Sequence, residues 1–513
     1  MLKSLLAILF LNFLVTITCL NYFGSSPPVV QTKNGPVQGY YNTTEALPFT
    51  YFHGIPYATP PIGDKRFQAP QPVDDWNKII DAKDFKEACV QGGSMYTLDQ
   101  TSEDCLYLNV FTPMPMHSET PVLLFIYGGS FLYGGTSLYP GGQLAAQTDS
   151  IVVTISYRLD VFGFYYNEDN KQHENVGLQD QALAIKWVYE NIHAFGGNPS
   201  TLTVFGESAG GMSTLLQSIL PPTIQTVPIR ALIAESPGPW RLPSKETSMK
   251  ITESVLQLFD CSNTECLKKV PAKTLMTETQ KSGLSYYPTV GGTTITAQPL
   301  SLLQDGLYRK YPMIIGTQEY EGNIFMFQNS GKTPAEGIDE AMYNKIVAES
   351  FAGYSSDFIE LVKSWYVPYT KARGYWEGAS KIFGDSGIAC GVHLASPFIG
   401  KFQPDSYFRY HFTKFPEGPN SFLNATHASE LAYIFQHQSL FFNGTFSQDD
   451  VYVSHSMAAY WKSMAVLGVP GAPWKSFFSD SDVLEFNVPL EMKTLDDNTW
   501  SYCNNWQDIL TKL

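Results

Sequence analysis

The sequence predicts an α/β protein: one large, mostly parallel sheet flanked by helices, folded as a single large domain. Three observations carry this expectation. Short apolar runs of strand length alternate with helical patterns, as parallel strands joined by crossover helices require. The 513 residues are 44% hydrophobic and 14% aromatic with 16% charged, which excludes disorder and supplies a large core. No Pro/Gly/Ser-rich linker, charge block or internal repeat divides the chain, although length alone would favour about three domains.

The strand candidates, in order, are Val122 to Tyr127, Ile151 to Tyr157, Leu202 to Phe205, Ala231 to Ala234 and Met313 to Ile315. Tyr407 to Phe412 is a further aromatic, strand-like run. The clearest helix is Gln181 to Ile192, with Ala182, Ile185, Val188, Tyr189 and Ile192 at helical spacing. Sheets of this kind bind ligands at the carboxyl ends of their strands, so functional residues are expected just beyond these runs.

The first twenty residues start with Lys3 and run apolar from Leu5 through Val15. They read as a secretory signal peptide over 1–20, leaving 21–513 as the folded domain. A membrane anchor is the alternative, but the run is interrupted by Asn12 and short for a span. The C-terminus carries no hydrophobic tail and no retention tetrapeptide. Beyond Cys19, six cysteines remain: Cys89, Cys105, Cys261, Cys266, Cys390 and Cys503. In an oxidising compartment an even number implies three disulfides, with 15 pairings open. No Cys-x-x-Cys pair or histidine-rich tract supports a metal site. Asn42, Asn424 and Asn443 each open a glycosylation sequon. Net charge is −15, with 48 acidic against 33 basic residues and no basic cluster. That excludes nucleic-acid binding, which needs concentrated positive charge, and disfavours anionic membrane surfaces.

The β-rich run Thr201 to Phe205 leads into Gly206-Glu207-Ser208-Ala209-Gly210, a G-x-S-x-G match. At glycine and serine usage of about 7% each, a chain this long shows the bare pattern by chance roughly one time in six. Context adds the weight: a strand precedes it and the helix-compatible Met212 to Leu220 follows. This is the nucleophile elbow of α/β-hydrolases, in which side chains at the two glycines would collide with neighbouring backbone. Upstream, Val122 to Ile126 runs into Tyr127-Gly128-Gly129-Ser130, where such enzymes carry their oxyanion loop. The backbone N–H groups of Gly129, Ser130 and Ala209 are the expected donors to the negative oxygen of a tetrahedral intermediate.

The chain order of this fold is serine, acid, histidine. Of the histidines beyond Ser208, His411 lies inside a strand-like run, whereas His427 follows that strand after a loop, where a reachable base belongs. Glu321 follows the Pro312 to Gly316 strand and is the candidate acid, with Glu319 its competitor two residues away.

The chain also resembles the type-B carboxylesterase/cholinesterase family, from about Val29 to Trp506. The resemblance rests on Gly54-Ile55-Pro56-Tyr57-Ala58 with Arg66-Phe67, Glu103 to Val110, Asn175 to Gln181, Phe195-Gly196-Gly197-Asn198-Pro199 and Phe205 to Gly210. Downstream, Glu321-Gly322 and His427-Ala428-Ser429-Glu430-Leu431 match the family's acid and histidine segments. The resemblance implies Ser208, Glu321 and His427 as a triad. It implies disulfides Cys89–Cys105, Cys261–Cys266 and Cys390–Cys503, a buried Arg66–Glu103 ion pair, and Ser236 as a second serine behind the triad. Trp240 and Phe325 fall where the acyl pocket is expected.

Departures bear on substrate. Ser130 stands where the family has a third oxyanion glycine. The Cys89-to-Cys105 segment lacks the tryptophan on which cholinesterases stack choline; Met95 and Tyr96 occupy that place, and Ile324 replaces another aromatic. With little cation–π surface, uncharged esters are expected rather than choline esters. The reading is therefore a secreted serine carboxylesterase working through an acyl-enzyme, with a small ester as partner and no cofactor. Monomer and homodimer both stay open. The alternatives are a non-catalytic adhesion or binding protein on the same fold, because fold alone does not decide function, or a lipase, for which no clear apolar lid or basic patch is visible.

Overall fold

The computed structural model describes residues 26–93, 95–167, 173–415, 417–438, 440, 444–477, 482–494 and 501–511. The expected signal peptide and the Asn443 sequon lie outside these residues. Eleven strands build one sheet: β1 Tyr40–Asn42, β2 Phe49–Pro56, β3 Tyr107–Pro113, β4 Val122–Ile126, β5 Ile151–Ile155, β6 Thr203–Glu207, β7 Ala231–Glu235, β8 Met313–Gln318, β9 Tyr407–Phe412, β10 Asp482–Phe486 and β11 Glu491–Thr494. Their spatial order is β1-β2-β3-β5-β4-β6-β7-β8-β9-β10-β11. From β5 to β10 every neighbouring pair is parallel; the strands outside that block pair antiparallel.

The parallel block explains the sequence pattern. β4, β5, β6, β7 and β8 are buried at every residue rather than at alternate ones, because helices cover both faces of the sheet. The outermost strands β1 and β11 are partly exposed throughout; β11 carries Glu491 and Lys493, charges that discourage pairing with another edge.

The start of one helix and the ends of three strands differ from the sequence reading for one reason. The helix expected from Gln181 starts at Val176 and runs to Asn191 (α1). Its first turns bury Asp180, paired with Arg158 at 2.7 Å, and Gln181, bonded to Ser213 Oγ at 2.9 Å. Buried polar side chains break the apolar periodicity there. β6, β7 and β8 likewise extend to Glu207, Glu235 and Gln318, polar residues that are nonetheless buried.

All three disulfides have the pairing that the resemblance implied. Arg66 clasps Glu103 with two hydrogen bonds, Nε to Oε1 at 2.6 Å and Nη2 to Oε2 at 2.7 Å. Among the described residues one helical stretch, Tyr375–Phe402 (α4 in the numbering that follows), is long and apolar enough to cross a membrane by length and composition. Two-thirds of its apolar window is packed inside the protein. The remaining helices used below are α2 Ala209–Ile219 and α3 Asn323–Ser330.

Candidate active site

The site forms where the chain leaves the carboxyl ends of β4, β6, β7, β8 and β9, five consecutive strands of the parallel block. Ser208 sits between β6 and α2 with φ 59° and ψ −123°, a conformation that non-glycine residues avoid. Such strain costs on the order of 1–3 kcal/mol and is held only by strong surroundings. Here Ser208 N–H donates to Glu235 O at 2.9 Å, and Ser208 O accepts from Gly238 at 3.2 Å and Met212 at 2.9 Å. The expected crowding at the two glycines is present: a Cβ on Gly210 would lie 1.9 Å from Ile126 O, and one on Gly206 2.5 Å from Gly210 O.

Glu321 and His427 meet across two loops that the sequence separates by 106 residues. Tyr320 N–H donates to Ala425 O at 2.9 Å, and Ile324 N–H to Thr426 Oγ1 at 2.9 Å, so the loop after β8 is laced to the loop after β9. His427 Nδ1 lies 2.7 Å from Glu321 Oε2. The other carboxylate oxygen accepts from Ser236 Oγ and from Gln318 N–H, each at 2.7 Å. A carboxylate fixed on both oxygens holds the imidazole with its proton on Nδ1, leaving Nε2 as the basic atom. Nε2 is buried and, among the described residues, has no hydrogen-bond partner. It lies 3.0 Å from Glu207 Oε1, off the line of a hydrogen bond. Burial, then repulsion from Glu321 and Glu235, pushes the Glu207 carboxyl well above its ordinary range and favours its protonated form. Glu319, the competing acid, bonds to Tyr320 and has Glu485 and Lys493 as its charged neighbours.

The Gly128-Gly129-Ser130 loop lies directly against the elbow, since a Cβ on Gly128 would fall 2.6 Å from Glu207 O and 2.8 Å from Ser208 Cβ. Gly129, Ser130 and Phe131 all have positive φ (100°, 56° and 63°), so the loop curls around the nucleophile turn. The Ser130 hydroxyl bonds to the Tyr133 phenol, whose pKa is raised chiefly by burial.

Two cavities meet at Ser208, with Ser130 and Phe325 on the border of both. The first, about 80 Å³, contains His427, Glu207, Met95, Tyr133, Tyr139 and Ile324. The second, about 620 Å³, is walled by Pro239, Leu242, Ile251, Tyr287 and Ile388. Phe325 borders both, its ring 5.0 Å from that of His427. Trp240 does not line either cavity: it is fully buried with its indole against Gly391 of α4, and Pro239 and Leu242 form the wall at that point. Sequence reasoning also missed Glu207 and Ile388. A carboxylate adjoining the nucleophile was a visible signal for Glu207; Ile388, 180 residues beyond the elbow, carried none. The first cavity is more aromatic than expected, because Tyr133 and Tyr139 reach it from the oxyanion loop.

Asn424 is exposed and Asn42 partly so. Asp385, Cys390 and Cys503 converge within 4.8 Å, but the two sulfurs are bonded to each other and are unavailable to a metal.

A parallel sheet of this order, with a strained serine elbow after β6, defines an α/β-hydrolase. The chain belongs to the carboxylesterase family, whose model matches residues 26–503. It is 30% identical to a cholinesterase of Mus musculus over 480 residues, covering 86% of this chain and 79% of that one. It is 28% identical to carboxylesterase 5A of Homo sapiens over 510 residues (91% and 86%) and 35% identical to para-nitrobenzyl esterase of Bacillus subtilis (strain 168) over 334 residues (61% and 67%). The family's chemistry is carboxylic-ester hydrolysis, and this chain is a carboxylic-ester hydrolase.

Proposed function

We propose that the protein is a secreted serine carboxylesterase acting on uncharged esters through an acyl-enzyme on Ser208. The observation that carries this reading is the His427 ring, which lines a cavity together with Ser208 and whose Nδ1 is held by Glu321. Ser208 Oγ attacks the ester carbonyl as His427 Nε2 takes its proton. The carbonyl oxygen becomes negative and accepts from the N–H groups of Gly129, Ser130 and Ala209, the last at the N-terminus of α2. The C–O bond to the alcohol then breaks, and the imidazolium returns its proton to the departing oxygen. Water, deprotonated by the same nitrogen, attacks the acyl-enzyme and releases the acid.

Preference for uncharged esters is supported by Met95 and Ile324 on the His427 side, two positions that offer a quaternary ammonium no aromatic face. Export is supported by three disulfides, which persist in oxidising compartments, with Asn42, Asn424 and Asn443 as acceptor sites for glycan. The test is incubation with a fluorophosphonate probe followed by peptide mapping. One adduct on the Ser208 peptide is expected; a folded protein that takes no label there contradicts the assignment.

A further inference from the structure

A cavity of about 600 Å³ that touches neither Ser208 nor His427 lies between the loops after β8 and β9 and the start of α4. That is the ordinary size of a whole small-molecule site, roughly 300–1,000 Å³. Tyr320 and Tyr369 line it, and Arg373 is a charged neighbour of both phenols. The exposed Asn424 stands on its rim and opens the sequon Asn424-Ala425-Thr426. The reaction at Ser208 uses neither the cavity nor this asparagine.

We propose that a glycan carried by Asn424 folds back into this cavity, seating its first N-acetylglucosamine against Tyr320 and Tyr369 and bracing the loop of Glu321 against that of His427; this rests on the export proposed above. The wall carries charges of both signs, Arg373 and Lys381 against Glu377 and Asp385, with Lys381 and Asp385 paired at 2.5 Å. An ion of either sign would meet like charge there. An uncharged sugar offers hydroxyls and an acetamide that bond to both kinds, and a C–H face that packs on a tyrosine ring.

The attachment point is held in place. Asn424 has φ 54° and ψ −160°, a backbone region costly for any residue but glycine. Its neighbours are tied to the acid loop on both sides: Leu423 O accepts from Asn323 Nδ2 at 2.9 Å, and Ala425 O from Tyr320 N–H at 2.9 Å. During export, Nδ2 exchanges one hydrogen for C1 of an oligosaccharide donated by a lipid pyrophosphate, which leaves with the electron pair of its C1–O bond. The remaining hydrogen keeps the contact with Phe422 O at 3.5 Å. A sugar joined directly to the rim is at an effective concentration of about millimolar or more. Contacts too weak to hold a free sugar therefore keep this one docked.

The experiment uses protein from a eukaryotic secretory host and follows glycan release by peptide-N-glycosidase F at Asn42 and Asn424 of the same molecules by mass spectrometry. Each native rate is divided by the rate in denatured protein. Release needs the undocked sugar, so a glycan docked about nine-tenths of the time is released about tenfold more slowly. A relative rate at Asn424 at least about tenfold below that at Asn42 is expected. Tyr369→Ala, and Arg373→Ala at an exposed position, are expected to speed release at Asn424 and leave Asn42 unchanged, which also reports that the variant is folded. Hydrogen exchange supplies a second reading: Asn424→Gln is expected to exchange faster than glycosylated wild type over 319–324 and 369–377. Equal relative release at the two sites, release unmoved in both cavity variants, unchanged exchange, or a bare Asn424 beside a glycosylated Asn42 would overturn the proposal. Retention inside the host cell, or bare asparagine at both sites, would instead remove the export reading on which it rests.

Discussion

At the scale of single residues, the choice between Glu321 and Glu319 shows how the site assigns chemistry. Both follow β8, and apart from the family resemblance of Glu321-Gly322 the sequence does not separate a triad acid from a solvated carboxylate. The geometry does: Glu321 reaches His427 Nδ1 at 2.7 Å and is fixed from behind by Ser236 and Gln318, whereas Glu319 bonds to Tyr320 beside Glu485 and Lys493. Glu321→Gln would present an amide to the imidazole and disturb its tautomer, with an expected fall in kcat on the order of 10⁴. Glu319→Gln is expected to leave kcat close to wild type. Steady-state kinetics on a p-nitrophenyl ester would check both, and equal losses would contradict the assignment. Ser208 was legible in the sequence because its neighbours are constrained as well: strand before, glycines on either side, helix after. His427 was legible as a position in a loop and through the family resemblance of His427 to Leu431, while the contact that joins it to Glu321 spans 106 residues.

At the scale of elements, the strand ends carry the polar groups that sequence periodicity leaves out. Glu235 closes β7, fully buried, with Oε1 accepting from Trp461 Nε1 at 2.8 Å and Oε2 without a partner among the described residues. Burial pushes its carboxyl up to about 8, partly opposed by the Trp461 hydrogen bond. A raised carboxyl pKa means that the folded state binds the proton more tightly than the unfolded state. The stabilisation is fully present below the ordinary value of 4.5 and is lost as pH rises to about 8. Glu235→Gln keeps an acceptor for Trp461 and removes the titration. Its melting temperature is expected to fall less between pH 5 and pH 8 than that of wild type; an identical fall would contradict this reading. The same kind of residue explains the missed turns of α1, where Asp180 and Gln181 are buried with partners instead of facing water. Trp240 shows the reverse case: the resemblance puts it at the acyl pocket, and it packs into the core instead.

At the scale of the whole molecule, β4 to β8 were legible as continuous apolar runs and β9 as an aromatic one, while β1, β2, β3, β10 and β11 were not seen. The disulfide pairings were not legible from spacing alone, because the contact that pairs Cys390 with Cys503 spans 113 residues. That bond ties α4, which backs the acid loop, to the C-terminal segment. Chain entropy assigns about 5 kcal/mol to closing a loop of that length and about 2 kcal/mol to the five-residue Cys261–Cys266 loop. Urea unfolding of the two double cysteine-to-alanine variants is expected to rank in that order, and the reverse order would contradict it. The account as a whole rests on acyl transfer through Ser208. The most direct measurement is hydrolysis of p-nitrophenyl butyrate by wild type and Ser208→Ala side by side, with circular dichroism as the control for folding. The account predicts an active wild type and a loss of roughly 10⁴-fold or more in a variant that remains folded. A folded wild type without activity, or a Ser208→Ala variant that keeps it, would contradict the account.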